Sequence, residues 1–563
     1  MPLSGAAPQA GAWQSVRRSA ATLLVAAPFL FPLTGGPVGS AWQALWGAGC
    51  AVLLASTLGC GRASVRTGAV LVIGVMLLVA IAFTGRSGVG LAGAWLVVGC
   101  GFLAGRSGGP EGAPDADRAL ALGRGLTVAA CLSVAIALAQ YFGHAAWLSP
   151  WGAVPMEPLG MAYGNLRQRN QFASLCCMGL VAVLWLQARA SAAGGARLPW
   201  AGAAAWLVVG LAASTSRTGL LALVCIVGAA AWLGRRQRRS PGRGGPQLPR
   251  PSLMLALLPL YGAAAWLLPR LASGGVDGMI SRLREGAPPG HSRLVLWRNV
   301  LELIAEHPWR GWGWGELRYA HYSHLYAGER FVEILDNAHN LPLHLAVELG
   351  VPATLALCGA WLWMVVRARP WAERDPARVM GWGLLGVIVL HSLLEYPLWY
   401  APYQLVFGFC VGVVWPGRPV APSPDRPLAP VLPALAASMS MACLALVAWD
   451  YTRVSQLYLP RDERLAAWRE HTLDRLRGRS WFFGDAVKFA DLTLTPVTPE
   501  RAPAMDALAG EMLHFSPEPR VVVKRIQAAS ALGRDDEVQA QLLRFRAAYP
   551  EDYLRWLGSL PAD

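Results

Sequence analysis

Apolar runs long enough to cross a lipid bilayer recur along this chain. A membrane span needs about 20 mainly apolar residues, and about thirteen such runs can be placed. Of the 563 residues, 54% are hydrophobic and only 15% are charged, which exceeds the apolar content that one soluble core needs. The sequence therefore predicts an all-α, polytopic helical membrane protein. The predicted spans centre near Ala27, Val52, Ile73, Leu96, Val134, Leu180, Leu207, Val224, Leu258, Leu355, Val387, Phe407 and Met439.

The basic residues follow the pattern of a membrane protein rather than that of a nucleic-acid-binding protein. The net charge is +15, but most arginines lie in alternate short connectors between apolar runs, as the positive-inside rule requires. We therefore expect no nucleic acid partner. The remaining connectors should face outward, which in a bacterial inner membrane is the periplasm. The ten cysteines all lie in apolar stretches without a CxxC pair, so we expect neither a disulfide framework nor a metal knuckle.

Changes in composition divide the chain into four predicted parts. These are N-terminal transmembrane helices over 1–269, a large periplasmic loop over 270–340, C-terminal transmembrane helices over 341–449, and a small periplasmic helical domain over 450–563. In the last part, charges alternate with apolar residues at helical spacing, and "AASALGRDDEVQAQLLRF" is typical of a TPR-like helical hairpin. Binding of a partner and simple capping of the membrane surface are both compatible with this pattern.

Two arginines lie where positive charge is unexpected. Arg217, in "STSRTGLL", separates two apolar runs with almost no connector. A charge near the hydrocarbon costs about 2.5–3.5 kcal/mol and tends to mark a ligand or pathway, although its side chain can also extend to the interface. Arg293, in "HSRLVLW", opens a predicted amphipathic helix before the Gly-Trp turn "GWGWG". Guanidinium groups bind phosphate oxygens in pairs, whereas the alternative is a helix anchored at the headgroups.

A histidine stands at the entrance of the next apolar run, in "DNAHNLPLHLAVELG". Asn340 can cap the following helix and Pro342 suits its first turn, so His339 should lie beside a helix N-terminus. The partial positive charge there disfavours imidazolium, and a neutral histidine is a competent general base. Other histidines near the outer side receive a structural interpretation: His307, His321, His324, His344 and His391.

Two further polar groups lie on the same predicted side. The first is "NLRQRNQ", whose arginines run against the charge rule, although a solvated loop end is an equal alternative. The second is "HSLLEYPLWYAPYQ", where a carboxylate near the outer boundary stands out and the tyrosines fit an aromatic belt equally well. The secondary candidates are Arg167, Gln168, Arg169, Glu395, Tyr396, Tyr400 and Asn340.

Outward arginines beside a neutral base favour a site for an anionic, lipid-linked substrate over a pore. The arginines would hold a pyrophosphate while the glycosidic bond breaks, and His339 would take the proton of an acceptor hydroxyl. The external loops contain no acidic pair or DxD-like cluster, so we expect no metal and no other cofactor. Arg217 and Arg293 would supply the positive charge instead.

Five segments, in order, carry a family resemblance: "GNLRQRNQFASL", "STSRTGLL", "HSRLVLW" with "GWGWGE", "DNAHNLPLHLAVELG" and "HSLLEYPLWYAPYQLVFG". Together they resemble the bacterial O-linked protein oligosaccharyltransferases, or pilin glycosylation ligases (PglL type), of the O-antigen ligase superfamily. The resemblance implies an inner-membrane enzyme that needs no metal. It matches His339 to the essential histidine and Arg217 and Arg293 to the pyrophosphate-binding arginines. Gln168 and Tyr396 or Tyr400 match features of the protein-glycosylating branch.

The expected function is therefore transfer of an oligosaccharide from an undecaprenyl-pyrophosphate carrier to Ser or Thr hydroxyls of exported proteins such as pilin. The expected partners are the lipid-linked glycan, a pilin-like acceptor protein and membrane lipid. Three alternatives remain open: an O-antigen ligase acting on lipid A core, an O-antigen polymerase, and a transporter of lipid-linked oligosaccharides that performs no chemistry.

Overall fold

The computed structural model describes residues 7–58, 88–106, 116–155, 159–196, 198–239, 248–272, 290–415 and 431–559, with a few positions between 276 and 284. All regular elements in these ranges are helical. Those before the first long outer segment are α1 (Ala7–Leu30), α2 (Ala41–Leu58), α3 (Gly88–Gly105), α4 (Ala116–Tyr141), α5 (Arg169–Ala192), α6 (Leu198–Ala213), α7 (Arg217–Arg239) and α8 (Pro251–Leu271).

We define the outer loop as residues 272–340, and it contains the first two helices of the second half of the chain. The helices from there onward are α9 (Arg293–Glu306), α10 (Leu317–Ser323), α11 (Leu341–Leu349), α12 (Val351–Ala368), α13 (Pro376–Ser392), α14 (Ala401–Val414) and α15 (Val431–Ser455). A C-terminal group follows: α16 (Thr472–Leu476), α17 (Gly484–Leu494), α18 (Ala502–Phe515), α19 (Pro519–Ala531), α20 (Asp535–Ala548) and α21 (Pro550–Gly558). Helix α15 crosses the predicted boundary at Asp450.

The chain is a multi-pass membrane protein. Among the described residues, 8 helices are long and apolar enough to cross a bilayer, and α6 and α14 are shorter apolar helices. Twelve of the thirteen predicted span centres lie within described helices. The other centre, Ile73, lies outside the described residues. The all-helical class is thus confirmed, whereas the count of about thirteen spans stays a prediction.

Helix α5 forms the middle of the bundle. Of its most apolar window, 94% is buried, against 6% for α12, because α5 packs on α4, α6, α7 and α13. Small residues allow this close packing: a Cβ at Gly179 would lie 2.5 Å from Cβ of Ala130 on α4. The N-terminus of α5, with Arg169 and Asn170, therefore lies at the centre of one end of the bundle.

The outer loop has a small apolar core of its own. Leu296, Val300 and Leu303 of α9 pack on Leu317 and Ala320 of α10 in this core, which also includes Ala338 and Val347. The predicted amphipathic helix beginning at Arg293 is confirmed, with Ser292 as its N-cap. This core fixes the backbone on either side of His339.

The loop is also joined tightly to the membrane helices at Gly350, between α11 and α12. Gly350 has φ +84°, and a Cβ there would lie 2.4 Å from the carbonyl oxygen of Trp309. Only glycine combines this backbone geometry with such a close approach. The outer loop therefore rests directly on the α11–α12 junction.

The C-terminal helices pack onto the outer loop through α10. Tyr322 of α10 lies in the same apolar cluster as Phe545 and Met512, and its hydroxyl donates to Oε1 of Gln541 at 2.6 Å. Arg318 donates to the carbonyl oxygen of Phe515 at 3.2 Å. The predicted helical hairpin is present as α19 and α20, joined by a turn at Gly533 with φ +68°. Helix α10 thus belongs to two apolar cores at once.

Candidate active site

One buried carboxylate joins several of the predicted site residues. Glu395 lies in the turn between α13 and α14, and its side chain is 7% exposed. Its Oε2 accepts a hydrogen bond from Nδ1 of His339 at 2.8 Å, and its Oε1 pairs with the Arg293 guanidinium. Oε1 also accepts from Nδ2 of Asn170 at 3.2 Å. The outer loop, α9 and α5 therefore meet at this carboxylate.

His339 is held by its neighbours in a sparsely populated backbone conformation. Its φ is +51°, in the left-handed region that residues other than glycine rarely adopt. The backbone N–H of His339 donates to Oδ1 of Asn337 at 2.9 Å, and the indole of Trp297 donates to the carbonyl oxygen of Ala338 at 3.1 Å. Strained residues of this kind persist where the surrounding structure over-determines them, which is frequent at functional sites.

The partner of His339 Nδ1 determines what its other ring nitrogen can do. An ionised carboxylate only accepts hydrogen bonds, so Nδ1 carries the proton and donates it to Glu395. In the neutral ring, Nε2 is then the acceptor. Among the described residues, none is hydrogen-bonded to Nε2. The ring is thus oriented as a general base, in the carboxylate–histidine arrangement that stabilises the imidazolium once a proton is taken.

The predicted cap at Asn340 is confirmed. Its Oδ1 accepts from the backbone N–H of Leu343 at 3.1 Å at the start of α11, and its Nδ2 donates to the carbonyl oxygen of Leu393 at 3.0 Å. His339 therefore stands beside a helix N-terminus, as expected. The sequence argument considered only the helix, however. The carboxylate of Glu395 places a negative charge beside the ring, which that argument left out.

Arg217 is linked to the same network through its neighbour. It is the exposed first residue of α7, directly after Ser216. The Ser216 hydroxyl donates to Oδ1 of Asn170 at 2.6 Å, and Asn170 in turn donates to Glu395. Thr215 before it has φ +50°. The start of α7 and the His339–Glu395 pair therefore lie at one end of the bundle.

The "NLRQR" candidates take different positions. Arg167 is exposed, has φ +58°, and donates to the carbonyl oxygen of Pro32 at 2.9 Å. Gln168 caps α5 by accepting from the backbone N–H of Gln171 at 2.6 Å. Arg169 contacts Oγ1 of Thr215 at 3.4 Å, beside the start of α7. In their described contacts, Arg167 holds the segment that follows α1, whereas Gln168 and Arg169 lie closer to the Glu395 network.

Two tyrosines line one side of the site. The ring of Tyr396 meets that of His339 edge to face, with centroids 4.8 Å apart, and stacks on Tyr400 at 5.8 Å. A small cleft beside them is lined by Gln168, Gln171, His391, Glu395, Tyr396, Pro397 and Tyr400. Burial raises the pKa of both Tyr396 and Tyr400, so their hydroxyls stay protonated and can donate hydrogen bonds to a ligand.

The charge state of Glu395 follows from opposing effects. Burial by itself raises the pKa of this carboxyl. The hydrogen bond from His339 and the charge of Arg293 outweigh burial and hold the pKa below its usual range. Glu395 is therefore ionised at neutral pH, as its role as acceptor of three hydrogen bonds requires.

Sequence reasoning gave no role to Glu395 and did not select Asn170 or Ser216. The signals were weak: a carboxylate near a span end, one amide in a polar run, and a hydroxyl next to an arginine. Within the described part of the chain, no group of three or more His, Cys, Asp or Glu side chains is arranged to hold a metal ion.

Comparisons with known proteins match three parts of the chain. Residues 201–358 match the family model "O-Antigen ligase", residues 162–186 match "Protein glycosylation ligase", and residues 379–559 match "Virulence factor membrane-bound polymerase, C-terminal". A curated relative, the general O-oligosaccharyltransferase of Acinetobacter baylyi, is 26% identical over 298 residues. That alignment covers 51% of this chain and 49% of the relative, so the chain spans about half the length of the curated relative it matches.

The three matches include every residue of the Glu395 network. Asn170 lies in the glycosylation-ligase match, Arg217, Arg293 and His339 lie in the ligase match, and Glu395 lies in the polymerase match. In these segments the chain is therefore similar to O-antigen ligases and protein glycosylation ligases.

Proposed function

We propose that the protein transfers an oligosaccharide from an undecaprenyl-pyrophosphate carrier to Ser or Thr hydroxyls of exported proteins such as pilin. The transfer takes place on the periplasmic face of the bacterial inner membrane and uses no metal. The observation that carries this proposal is the pairing of His339 and Arg293 on Glu395. A general base and a phosphate-binding cation are thereby held on one carboxylate, at the end of a membrane bundle.

In this reaction Nε2 of His339 takes the proton of the acceptor hydroxyl as its oxygen bonds to the anomeric carbon of the glycan. The bond from that carbon to the pyrophosphate oxygen breaks, and undecaprenyl pyrophosphate leaves with the electron pair. Arg293 pairs with Glu395 through one end of a five-donor fork, and the remaining donors can bind phosphate oxygens. Arg217 supplies a second guanidinium from α7 and stabilises the charge of the leaving group.

The protein-glycosylating assignment is supported by the match at 162–186 and by the name of the A. baylyi relative. The ligase and polymerase descriptions of the other two matches keep lipid A core and a growing O-antigen chain as alternative acceptors. These three acceptors present the same reacting group, a hydroxyl, to the same lipid-linked donor. An acceptor assay is therefore needed to separate them.

The test is incubation of the full chain, in lipid nanodiscs, with an undecaprenyl-pyrophosphate-linked glycan and a purified pilin. Intact mass should show pilin carrying the glycan. His339→Ala should lower turnover about 10²- to 10⁴-fold while donor binding persists, because only the base is lost. The matched control is His324→Ala, since His324 also bonds a glutamate, Glu306, through Nδ1 at 3.0 Å in the same loop.

Each other result has a definite meaning. Decoration of lipid A core but not of pilin would replace the proposal with the ligase function, and lengthening of the lipid-linked glycan would replace it with the polymerase function. Unchanged turnover in His339→Ala, or an equal loss in His324→Ala, would contradict the assigned base.

A further inference from the structure

Asn170 connects two parts of the site that come from different elements. It lies in the first turn of α5, with its amide between Glu395 and Ser216. A carboxylate can only accept hydrogen bonds, so the amide nitrogen must face Glu395, at 3.2 Å from Oε1. The amide oxygen then accepts from the Ser216 hydroxyl at 2.6 Å. Both ends of this side chain are therefore used.

Ser216 in turn fixes the start of α7. Its Oγ accepts from the backbone N–H of Gly219 at 3.0 Å, which is the contact of an N-cap. Because the same hydroxyl donates to Asn170, the cap and the amide are hydrogen-bonded in series. Arg217 follows directly as the first residue of the helix. A displacement of Asn170 would thus change the positions of both the Glu395 carboxylate and the helix end that carries Arg217.

We propose that Asn170 is a positioning residue that fixes the Glu395 carboxylate, and through it the His339 ring, relative to the N-terminus of α7. This inference rests on the proposed function, in which His339 is the general base and Arg217 binds the pyrophosphate. Asn170 is then the side chain that sets the distance between these two groups. An amide suits the position because it is neutral and offers a donor on one side and an acceptor on the other.

Aspartate has the same shape and does not suit the position. It would keep the acceptor for Ser216 but place a second carboxylate against Glu395, so that one of the two would bind a proton at higher pH. The charged and titratable groups that face Glu395 come from four places: Arg293 from α9, His339 from the outer loop, His391 from α13, and Tyr396 and Tyr400 from the segment before α14.

The first experiment measures kcat, the KM for the lipid-linked donor, and the pH profile of kcat for the full chain in nanodiscs. Asn170→Ala should lower kcat about 10- to 100-fold with little change in KM, since a hydrogen bond to a charged group is lost. Asn170→Asp should move the acidic limb of the kcat profile to higher pH. Asn299→Ala is the matched control: it removes a buried asparagine of α9 whose amide also uses both ends, on the carbonyl oxygen of Glu329 at 3.0 Å and the backbone N–H of Phe331 at 2.8 Å, and it should shift neither quantity comparably.

The second experiment combines Asn170→Ala with Glu395→Gln. If Asn170 acts through the carboxylate, the double variant should be no slower than Glu395→Gln alone. Losses that multiply, or a wild-type kcat and pH profile in both Asn170 variants, would overturn the inference and leave the proposed function standing. Wild-type turnover in Glu395→Gln would overturn the inference and the role of this carboxylate, whereas absence of glycan transfer by the wild-type chain would overturn the proposed function. If Asn170→Ala does not fold, the isosteric variant Asn170→Asp tests the inference. An acidic limb of its kcat profile at the wild-type pH would then overturn the inference.

Discussion

At the scale of single residues, the site is organised by contacts between positions far apart in the chain. Glu395 is 56 positions from His339, 102 from Arg293 and 225 from Asn170. The sequence identified His339 from its place at a helix start, and it favoured Arg293 because the family resemblance matched this residue to a pyrophosphate-binding arginine. Glu395 received no role, because no local pattern reveals which cations a buried carboxylate will meet after folding.

The lowered pKa of Glu395 gives a prediction about acid stability. A carboxyl whose pKa is lowered by folding stabilises the folded state above its unfolded pKa, about 4.3, and loses that contribution as pH falls through the lower folded value. Glu395→Gln should therefore lower Tm at pH 7, and the difference from wild type should shrink near about pH 3. Thermal unfolding in nanodiscs at both pH values measures this.

The control is Glu333→Gln, because Glu333 is a 60% exposed carboxylate of the same outer loop, 3.7 Å from His291. Its Tm should match that of wild type at both pH values, as exposed pairs contribute little. A Tm deficit for Glu395→Gln that is equal at neutral and acidic pH would argue against an ionised, stabilising Glu395.

At the scale of helices, local signals were the most reliable. Apolar runs predicted nearly every described span, and the Asn-Leu-Pro start of α11 correctly predicted both the cap and the first turn. The packing of the helices against one another could not be predicted from the sequence in the same way. The central place of α5 and the exposure of α12 depend on which small residues meet across the bundle, and the apolar composition of the two helices is similar.

The cap of α11 can be tested separately from the chemistry. Asn340→Ala should cost about 0.5–2 kcal/mol, since the N–H of Leu343 loses its partner, and hydrogen exchange of the first turn of α11 should become faster. Asn340→Asp keeps the accepting oxygen and should retain slow exchange, although it loses the bond to Leu393. Fast exchange in both variants would mean that the Leu393 contact, rather than the cap, orders this turn.

At the scale of the whole molecule, the C-terminal helices and the outer loop share α10. Replacing Tyr322 by alanine should leave a cavity in the C-terminal core and cost about 3–5 kcal/mol. Because Leu317 and Ala320 on the same short helix belong to the loop core, hydrogen-exchange protection should fall in α9 as well as in α20.

Trp556→Ala is the matched control for this coupling. Trp556 packs against Phe545 in the C-terminal core, and its ring partners in this structure are Phe545 and Tyr553 rather than α10. Its loss should weaken the C-terminal helices and leave α9 protected. Equal protection of α9 in the Tyr322→Ala variant and in the wild-type protein would show that the two cores unfold independently. The sequence predicted the C-terminal helices but not the shared helix α10. The reason is that an aromatic residue on a seven-residue helix does not indicate which part of the protein it will pack against.

The close approach of Gly350 to the carbonyl oxygen of Trp309 joins the outer loop to the start of a membrane helix, with no room for a side chain between them. Soluble transferases commonly close a mobile lid over a substrate that arrives from any direction. The lipid-linked donor that we propose is anchored by its own hydrocarbon tail, so it would reach the site already confined to one plane and one depth. Diffusion within the membrane would then provide the alignment that a moving lid otherwise has to supply.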